Sequence, residues 1–294
     1  MNTLLSHALR YATAHADGTG VARTPIPGLM VASATAPSGL DHTILRPLVC
    51  LVLQGSKHVT MGAQAFAFSA GDSLVVTADV ATMRQITRAS VAAPYCSLVL
   101  ELDLAVIEDL TTQMGAESEA DRAPMRVEPT DAEVADAALR LIRLLDRPAS
   151  IPVLHAQLVR EIHYWLLAGR HGAAIRHLGW PDGHVHRIAR AVTMLRAEFA
   201  RPLPVERLAA VAGMSASSFH QHFRSVTSLS PLQFQKQLRL IEARRLMMSD
   251  GASASSAAFA VGYESVSQFT REYGRMFGLP PVRDVEAVRN MARA

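Results

Sequence analysis

The 294-residue sequence predicts a two-domain α+β protein, with a front domain built on a small antiparallel β-barrel with flanking helices and a back domain made only of helices. Three observations predict it. Short β-type runs crowd residues 45 to 103, a helix-turn-helix pattern occurs twice in the last third, and charge divides unequally between the two ends. At 49% hydrophobic residues the chain is long enough to bury two ordinary cores.

The start, with Leu4, Leu5, Ala8, Leu9 and Ala12, reads as a short amphipathic helix and not as a signal peptide. No stretch approaches the roughly 20 apolar residues of a membrane span. A soluble, cytoplasmic protein without a membrane partner is expected. Strand-like runs then follow at Leu48 to Leu53 before Gly55-Ser56, Gln64 to Phe68 before Ala70-Gly71-Asp72, Leu74 to Thr77, and Tyr95 to Leu102. Close spacing without intervening helices suggests an antiparallel sandwich or small barrel, whose interior is the default place for a small ligand. Cys50 and Cys96 are the only cysteines, each inside an apolar run, so neither a disulfide scaffold nor a zinc site is indicated.

After Asp103 the pattern becomes helical, over Leu104 to Met114, Asp131 to Leu145 and Val153 to Leu167. In the third, Leu154, Leu158, Ile162 and Trp165 form one apolar face, which suits a core. Part of that face, or Ala138, Leu141, Ile142 and Leu145 of the preceding helix, is the alternative candidate for a dimer seam. Residues 171 to 183 have no sustained period and contain Gly179-Trp180-Pro181-Asp182-Gly183, the signature of a linker. This divides the chain into domains at 1–170 and 184–294.

In the back domain a helix should begin near His184 and carry Ile188, Val192, Leu195 and Phe199 on one face. The repeat follows as Ala209-x3-Gly213-x5-Phe219-x3-Phe223 and Ala258-x3-Gly262-x6-Phe269-x3-Tyr273, its glycines 49 residues apart. In each copy a small Ala lets two helices approach, a Gly occupies a turn requiring positive φ, and aromatic residues four apart pin the second helix to the core. The motifs should span about 205–226 and 253–277. Pro204 and Glu206 mark one helix start, and Ser215 the N-cap of the next. Pro231 opens a connecting helix with apolar Phe234, Leu238, Leu240, Ile241, Ala243 and Met247 and polar Arg239, Arg244 and Arg245. Ser265-x-x-Gln268 reads as a capping box.

With the aromatic residues inward, Ser217, His220, Gln221 and Arg224 project from the first motif's second helix, and Ser267, Gln268, Thr270, Arg271 and Arg275 from the second's. These types suit base edges and phosphates, with an ordinary solvated face as the alternative for any single residue. Residues 184 to 294 hold 15 basic and 8 acidic residues, a net of +7, against 14 and 18, a net of −4, in the remainder. Such asymmetry is expected when only the back domain meets double-stranded DNA.

Residues 184 to 290 resemble the AraC/XylS family of bacterial transcription regulators. The resemblance rests on Val205-Glu206-Arg207-Leu208-Ala209 with Gly213-Met214-Ser215, Phe219-His220-Gln221-His222-Phe223-Arg224, Ser230-Pro231, Arg239-Leu240, Ala243-Arg244, Val261-Gly262-Tyr263-Glu264-Ser265, and Ser267-Gln268-Phe269 through Phe277-Gly278-Leu279-Pro280-Pro281. Leu53-Gln54-Gly55-Ser56-Lys57, Ala70-Gly71-Asp72 and Pro94-Tyr95 further resemble a subgroup with a cupin-like N-terminal domain. The resemblance implies a ligand-sensing barrel responding to a small-molecule effector, helices that pair two subunits into a homodimer, and a DNA-binding domain that usually activates transcription, with contact to RNA polymerase. It places base contacts on Ser217, His220 and Gln221 and on Ser267, Gln268 and Arg271. Asp284 stands where the family commonly has an aromatic residue, away from the reading positions.

A cupin-like barrel raises one enzymatic alternative, a metal-dependent cupin with a DNA-binding tail. Cupin oxygenases hold metal with two His at i and i+2, a Glu and a later His. Here His58 stands alone among the strand runs, Met61-Gly62 follows where a ligand would be needed, and His184 and His186 fall outside the barrel. With no nucleophile elbow and no phosphate-cradling loop, neither catalysis nor a cofactor is expected. A thiol sensor at Cys50 or Cys96 would need exposure and a lowered pKa, whereas both sit among Val and Leu.

Overall fold

The computed structural model describes residues 2–115, 123–180 and 183–291. It divides into two compact units, Met1–Asp41 with Leu45–His186 and His42–Ile44 with Arg187–Ala294.

The first unit opens with helix α1 (Asn2–His15), whose Leu4, Ala8 and Ala12 are buried, as the apolar spacing predicts. Nine strands follow along the chain: β1 (Val21–Arg23), β2 (Leu29–Ala34), β3 (Asp41–Leu45, of which His42–Ile44 group with the second unit), β4 (Leu48–Gln54), β5 (Ser56–Met61), β6 (Gln64–Ser69), β7 (Asp72–Val76), β8 (Val80–Arg88) and β9 (Tyr95–Glu101). A tenth, β10 (Met125–Pro129), comes after helix α2 (Leu104–Met114). The four expected runs are β4, β6, β7 and β9. Strands β3, β5 and β8 mix polar and apolar residues, as in Ser-Lys-His-Val-Thr-Met of β5, so no apolar run marks them.

The strands do not close into one barrel. They form a six-stranded sheet in the order β1-β2-β9-β4-β7-β10 and a four-stranded sheet in the order β3-β8-β5-β6. The chain passes from one sheet to the other at Gly55, beside a bulge in the β4–β9 ladder between Val52 and Gln54. Such corners let two sheets share one chain without a continuous ladder.

Strand alternation gives the larger sheet two different faces. Val49, Leu51, Leu53, Val75, Cys96, Leu98 and Leu100 join α1 and the later helices in one apolar core. Their neighbours Cys50, Leu74, Val52 and Ser97 share the opposite face, since Cys50 pairs with Leu74 and Val52 with Ser97. Cys50 and Cys96 are therefore buried on opposite faces of one sheet, and burial pushes the Cys96 thiol up to about 12.

Asp103 caps α2 by accepting from the amides of Ala105 and Val106, while its own amide donates to Nε2 of the buried His163 at 2.9 Å. Helices α3 (Ala132–Arg143) and α4 (Ile151–Ala168) cover the outer face of the sheet. Ala138, Leu141 and Ile142 of α3 are fully buried in this core and Leu145 packs against it, so this face of α3 serves the core. On α4 the buried set is Ile151, Ile162, His163, Leu166 and Leu167, whereas Leu154, expected inside, is exposed together with Val153 and Tyr164. The apolar stripe on this helix is wider than the face the core can cover, so periodicity alone misplaces its centre.

The expected linker is also partly core. Gly172–Ile175 form helix α5, a 3-10 turn runs over Arg176–Gly179, and Ile175 and Leu178 are buried with the helices above. His171 is buried at its start and bonds Ser73 Oγ at 2.7 Å. Pro181 and Asp182 lie outside the described residues.

The second unit contains α6 (His184–Glu198), α7 (Val205–Ala212), α8 (Ala216–Thr227), α9 (Pro231–Ser249), α10 (Ala254–Ala260), α11 (Val266–Phe277) and α12 (Pro281–Met291). Phe219, Phe223 and Phe234 are fully buried and meet in sequence, the first pair tilted and the second edge to face, with ring centroids 5.3 and 5.5 Å apart. Phe269 and Tyr273 do the same in the second half at 5.5 Å, with Phe277 partly buried beyond them. Gly213 and Gly262 take φ of 62° and 87°, as the turns require. A β-carbon at Gly262 would also collide with the Ala200 carbonyl. Among the described residues no helix is long and apolar enough to cross a membrane.

Candidate nucleic-acid interface

Two helices stand out as reading elements because each follows a short helix and a glycine turn and is capped by a serine. Ser215 accepts from the Ser218 amide at the start of α8, and Ser265 from the Gln268 amide at the start of α11. Capping fixes where each helix begins, and so which side chains lie in its first two turns. Ser217, His220, Gln221 and Arg224 are all exposed on α8, and Ser267, Gln268, Arg271 and Arg275 on α11. Thr270 is half-buried beside Phe269 and contributes less surface than its neighbours. No internal carboxylate takes up the guanidiniums of Arg224, Arg271 or Arg275 among the described residues, in contrast to Arg207 with Glu198 and Arg245 with Glu242.

The capping box expected at Ser265 is only half formed. Gln268 donates from Nε2 to Glu272 Oε1 at 3.3 Å instead of reaching back to the cap, while the full reciprocal box forms at Ser230 and Gln233 on α9. Glu272 also accepts from Lys236 Nζ at 2.9 Å and from the Tyr263 hydroxyl at 2.8 Å. Burial opposes its ionisation, but the hydrogen bonds from Lys236, Tyr263 and Gln268 outweigh this and hold its pKa below the ordinary carboxylate range. A candidate reading side chain is thereby anchored to the connecting helix.

The connecting helix does more than space the motifs. Arg239, expected at a solvated position, points inward and donates to the carbonyls of Phe199 at 2.7 Å, Ala200 at 3.3 Å, Arg201 at 3.2 Å and Gly262 at 3.0 Å. Its guanidinium thus joins the chain after α6 to the turn of the second motif. Arg244 is likewise internal: it pairs with Asp284 through Nε at 2.8 Å and Nη2 at 3.1 Å, and lies 4.9 Å from the Phe277 ring centroid. Asp284 is buried and also accepts from the Tyr273 hydroxyl at 2.7 Å. The aspartate that departs from the family pattern thus acts as a polar core residue. Its Arg partner, forty positions away, gives no local sequence signal.

Two capped helix-turn-helix units, locked to one connecting helix and preceded by a two-sheet domain, define a double helix-turn-helix regulator architecture. Residues 25–174 match the family model described as the AraC-type transcriptional regulator N-terminus, and residues 208–285 match a helix-turn-helix domain model. The chain belongs to the AraC-type transcriptional regulators.

Among curated relatives, the RCS-specific HTH-type transcriptional activator RclR of Escherichia coli is 39% identical over 88 residues, 30% of this chain and 31% of that protein. A putative AraC-like transcription regulator of Streptomyces lividans is 32% identical over 104 residues, 35% of this chain and 34% of the relative. The chain thus spans about a third of the length of the curated relatives it matches. The fold is similar to that of ToxT from Vibrio cholerae, solved with an unsaturated fatty acid bound, with a TM-score of 0.62 at 8% identity, covering 90% of this chain and 96% of that one.

Proposed function

We propose that the protein is a cytoplasmic, sequence-specific DNA-binding regulator that reads its operator with α8 and α11 in successive major-groove segments. Ser217, His220 and Gln221 then face bases from the first helix, and Ser267, Gln268 and Arg271 from the second. Arg224, Thr270 and Arg275 serve the flanking backbone. The observation that carries this reading is the repeated pair of serine-capped helices presenting exposed, internally unpaired cations. The first unit takes a small-molecule effector, a reading supported by family membership and by the fold shared with a protein that binds a fatty acid. The exposed Val153, Leu154 and Tyr164 on α4 supply the apolar surface for a homodimer, and the second unit offers contact to RNA polymerase. The role is regulatory and not enzymatic.

The test is selection of the full-length protein on random-sequence duplex DNA at two salt concentrations. Two short sequence blocks about one helical turn apart are expected, at a spacing of roughly 34 Å. Salt-sensitive retention without a sequence motif would overturn the reading.

A further inference from the structure

The chain uses lysine only twice, at Lys57 and Lys236, against 27 arginines. Lys236 is accounted for by Glu272. Lys57 is not. It lies on β5 on the same face as the buried Val59 and Met61, pointing between the two sheets, with Nζ 5.8 Å from the Tyr95 ring centroid on β9. It is largely enclosed by protein and keeps part of its surface accessible. No carboxylate among the described residues pairs with its ammonium. Other cations of the same unit are taken up: Arg84 by Asp41 at 2.7 Å, Arg10 by Asp146 at 2.7 Å and Arg160 by Asp109 at 2.6 Å.

The groups around Lys57 are also unsatisfied. Tyr95 and Ser97 are fully buried, and neither hydroxyl makes a well-formed hydrogen bond, although Tyr95 stands close enough to Ser97 and Cys50 for both to act on it. Both occupy the inner face of the six-stranded sheet together with Cys50. Leaving an ammonium and two hydroxyls poorly partnered in an apolar interior is costly, and burial pulls the Lys57 pKa down accordingly. Three adjacent under-satisfied groups, all able to donate, describe a site made for an acceptor bearing negative charge. The rest of that face is apolar, with Val52, Leu74 and Val76, and Val59 and Met61 are buried on the other sheet.

We propose that the space between the two sheets binds a small monocarboxylic acid, its carboxylate held by the Lys57 ammonium and by hydrogen bonds from Tyr95 and Ser97, its body lying against the apolar walls. An ammonium serves here where a guanidinium would not, because a compact point charge leaves room for the ligand beside Tyr95. The inference rests on the reading of the first unit as the effector-binding domain and names the chemistry of that effector.

The full-length protein is titrated calorimetrically with sodium acetate, butyrate, octanoate and benzoate and with the corresponding primary amides. At least one acid binds one-to-one, its amide binds at least tenfold more weakly, and Lys57→Met weakens the acid at least tenfold while leaving operator binding without ligand unchanged. Tyr95→Phe, which keeps the ring, weakens the acid several-fold. Labelling with [ε-13C]lysine gives only two side-chain signals, so the unmodified protein supplies an independent readout: the acid moves the Lys57 signal and not that of Lys236. Absence of binding by every acid, equal binding of acid and amide, or unaltered binding by Lys57→Met overturns the proposal. Operator selection on the same preparation separates the two failures: a sequence motif without acid binding leaves the regulator reading standing and removes only this inference.

Discussion

The Arg239 guanidinium donates to the Gly262 carbonyl across 3.0 Å, tying the middle of the connecting helix to the turn of the second helix-turn-helix motif. The same side chain serves the carbonyls of Phe199, Ala200 and Arg201, so one residue sets the second motif against the segment that precedes the first. Replacing it with Met keeps the aliphatic stem and removes every donor. Arg239→Met should cost about 2–4 kcal/mol in urea unfolding, because charge-assisted hydrogen bonds are lost and partly buried carbonyls are left without partners. It should also lower affinity for a two-block operator more than for either block alone. An equal loss on both would show that the guanidinium does not set the spacing.

Arg244, Asp284 and the Tyr273 hydroxyl form a polar cluster at the largely apolar core of the second motif. Removing one member strands a buried charge, so Asp284→Leu and Arg244→Met should each destabilise by about 3–5 kcal/mol. The double variant should cost clearly less than the sum, which thermal or urea unfolding of the four proteins will determine. Strict additivity would mean that the pair is not coupled.

Arg271 and Arg224 should fail in different ways. Arg271→Ala is expected to abolish specific binding while retaining most affinity for random DNA. Arg224→Ala should weaken both about equally and reduce the slope of log affinity against log salt by about 1. Titrations on selected and random duplexes at several salt concentrations decide between them. Equal losses for Arg271→Ala on the two DNAs would remove it from the reading set.

His171 gives the first unit an acid-sensitive latch. Its burial lowers its pKa to about 4, while in the unfolded chain it titrates near 6.5. The unfolded chain therefore takes up a proton that the folded one refuses. The stability this residue contributes is complete above pH 6.5 and is lost as pH falls toward 4, by up to about 3 kcal/mol. His171→Gln, which cannot titrate but can still hydrogen-bond Ser73 through its amide, should flatten the decline in unfolding midpoint between pH 7 and 4.5. An unchanged pH profile would shift the cause to other groups.

The second unit was nearly all legible because its signals are local: serine caps, glycine turns and aromatic residues four apart lie within a dozen positions of the structure they specify. The same local logic placed the exposed set on α8 and α11. What it missed is long-range. Arg239 and Arg244 look like surface residues on a helix, and only tertiary contacts forty positions away turn them inward. In the first unit the one-sided strands β5 and β8 carry too few apolar residues to announce themselves. The segment from His171 to Gly179 looks like a linker because its glycines break any period, yet Ile175 and Leu178 fill the core. Lys57 sat inside a recognised string, but the string gives no sign that its ammonium faces inward.

The anchoring of Gln268 by Glu272 bears on how this kind of protein changes its targets. Glu272 is held by Lys236 and Tyr263, neither of which belongs to the exposed reading set, so the orientation of Gln268 is governed from behind the helix. A substitution at Lys236 would release the carboxylate and let Gln268 choose another partner. On the proposed reading, base preference at Gln268 can thus drift through mutation of a residue outside the reading set, and two relatives with identical reading residues need not share an operator.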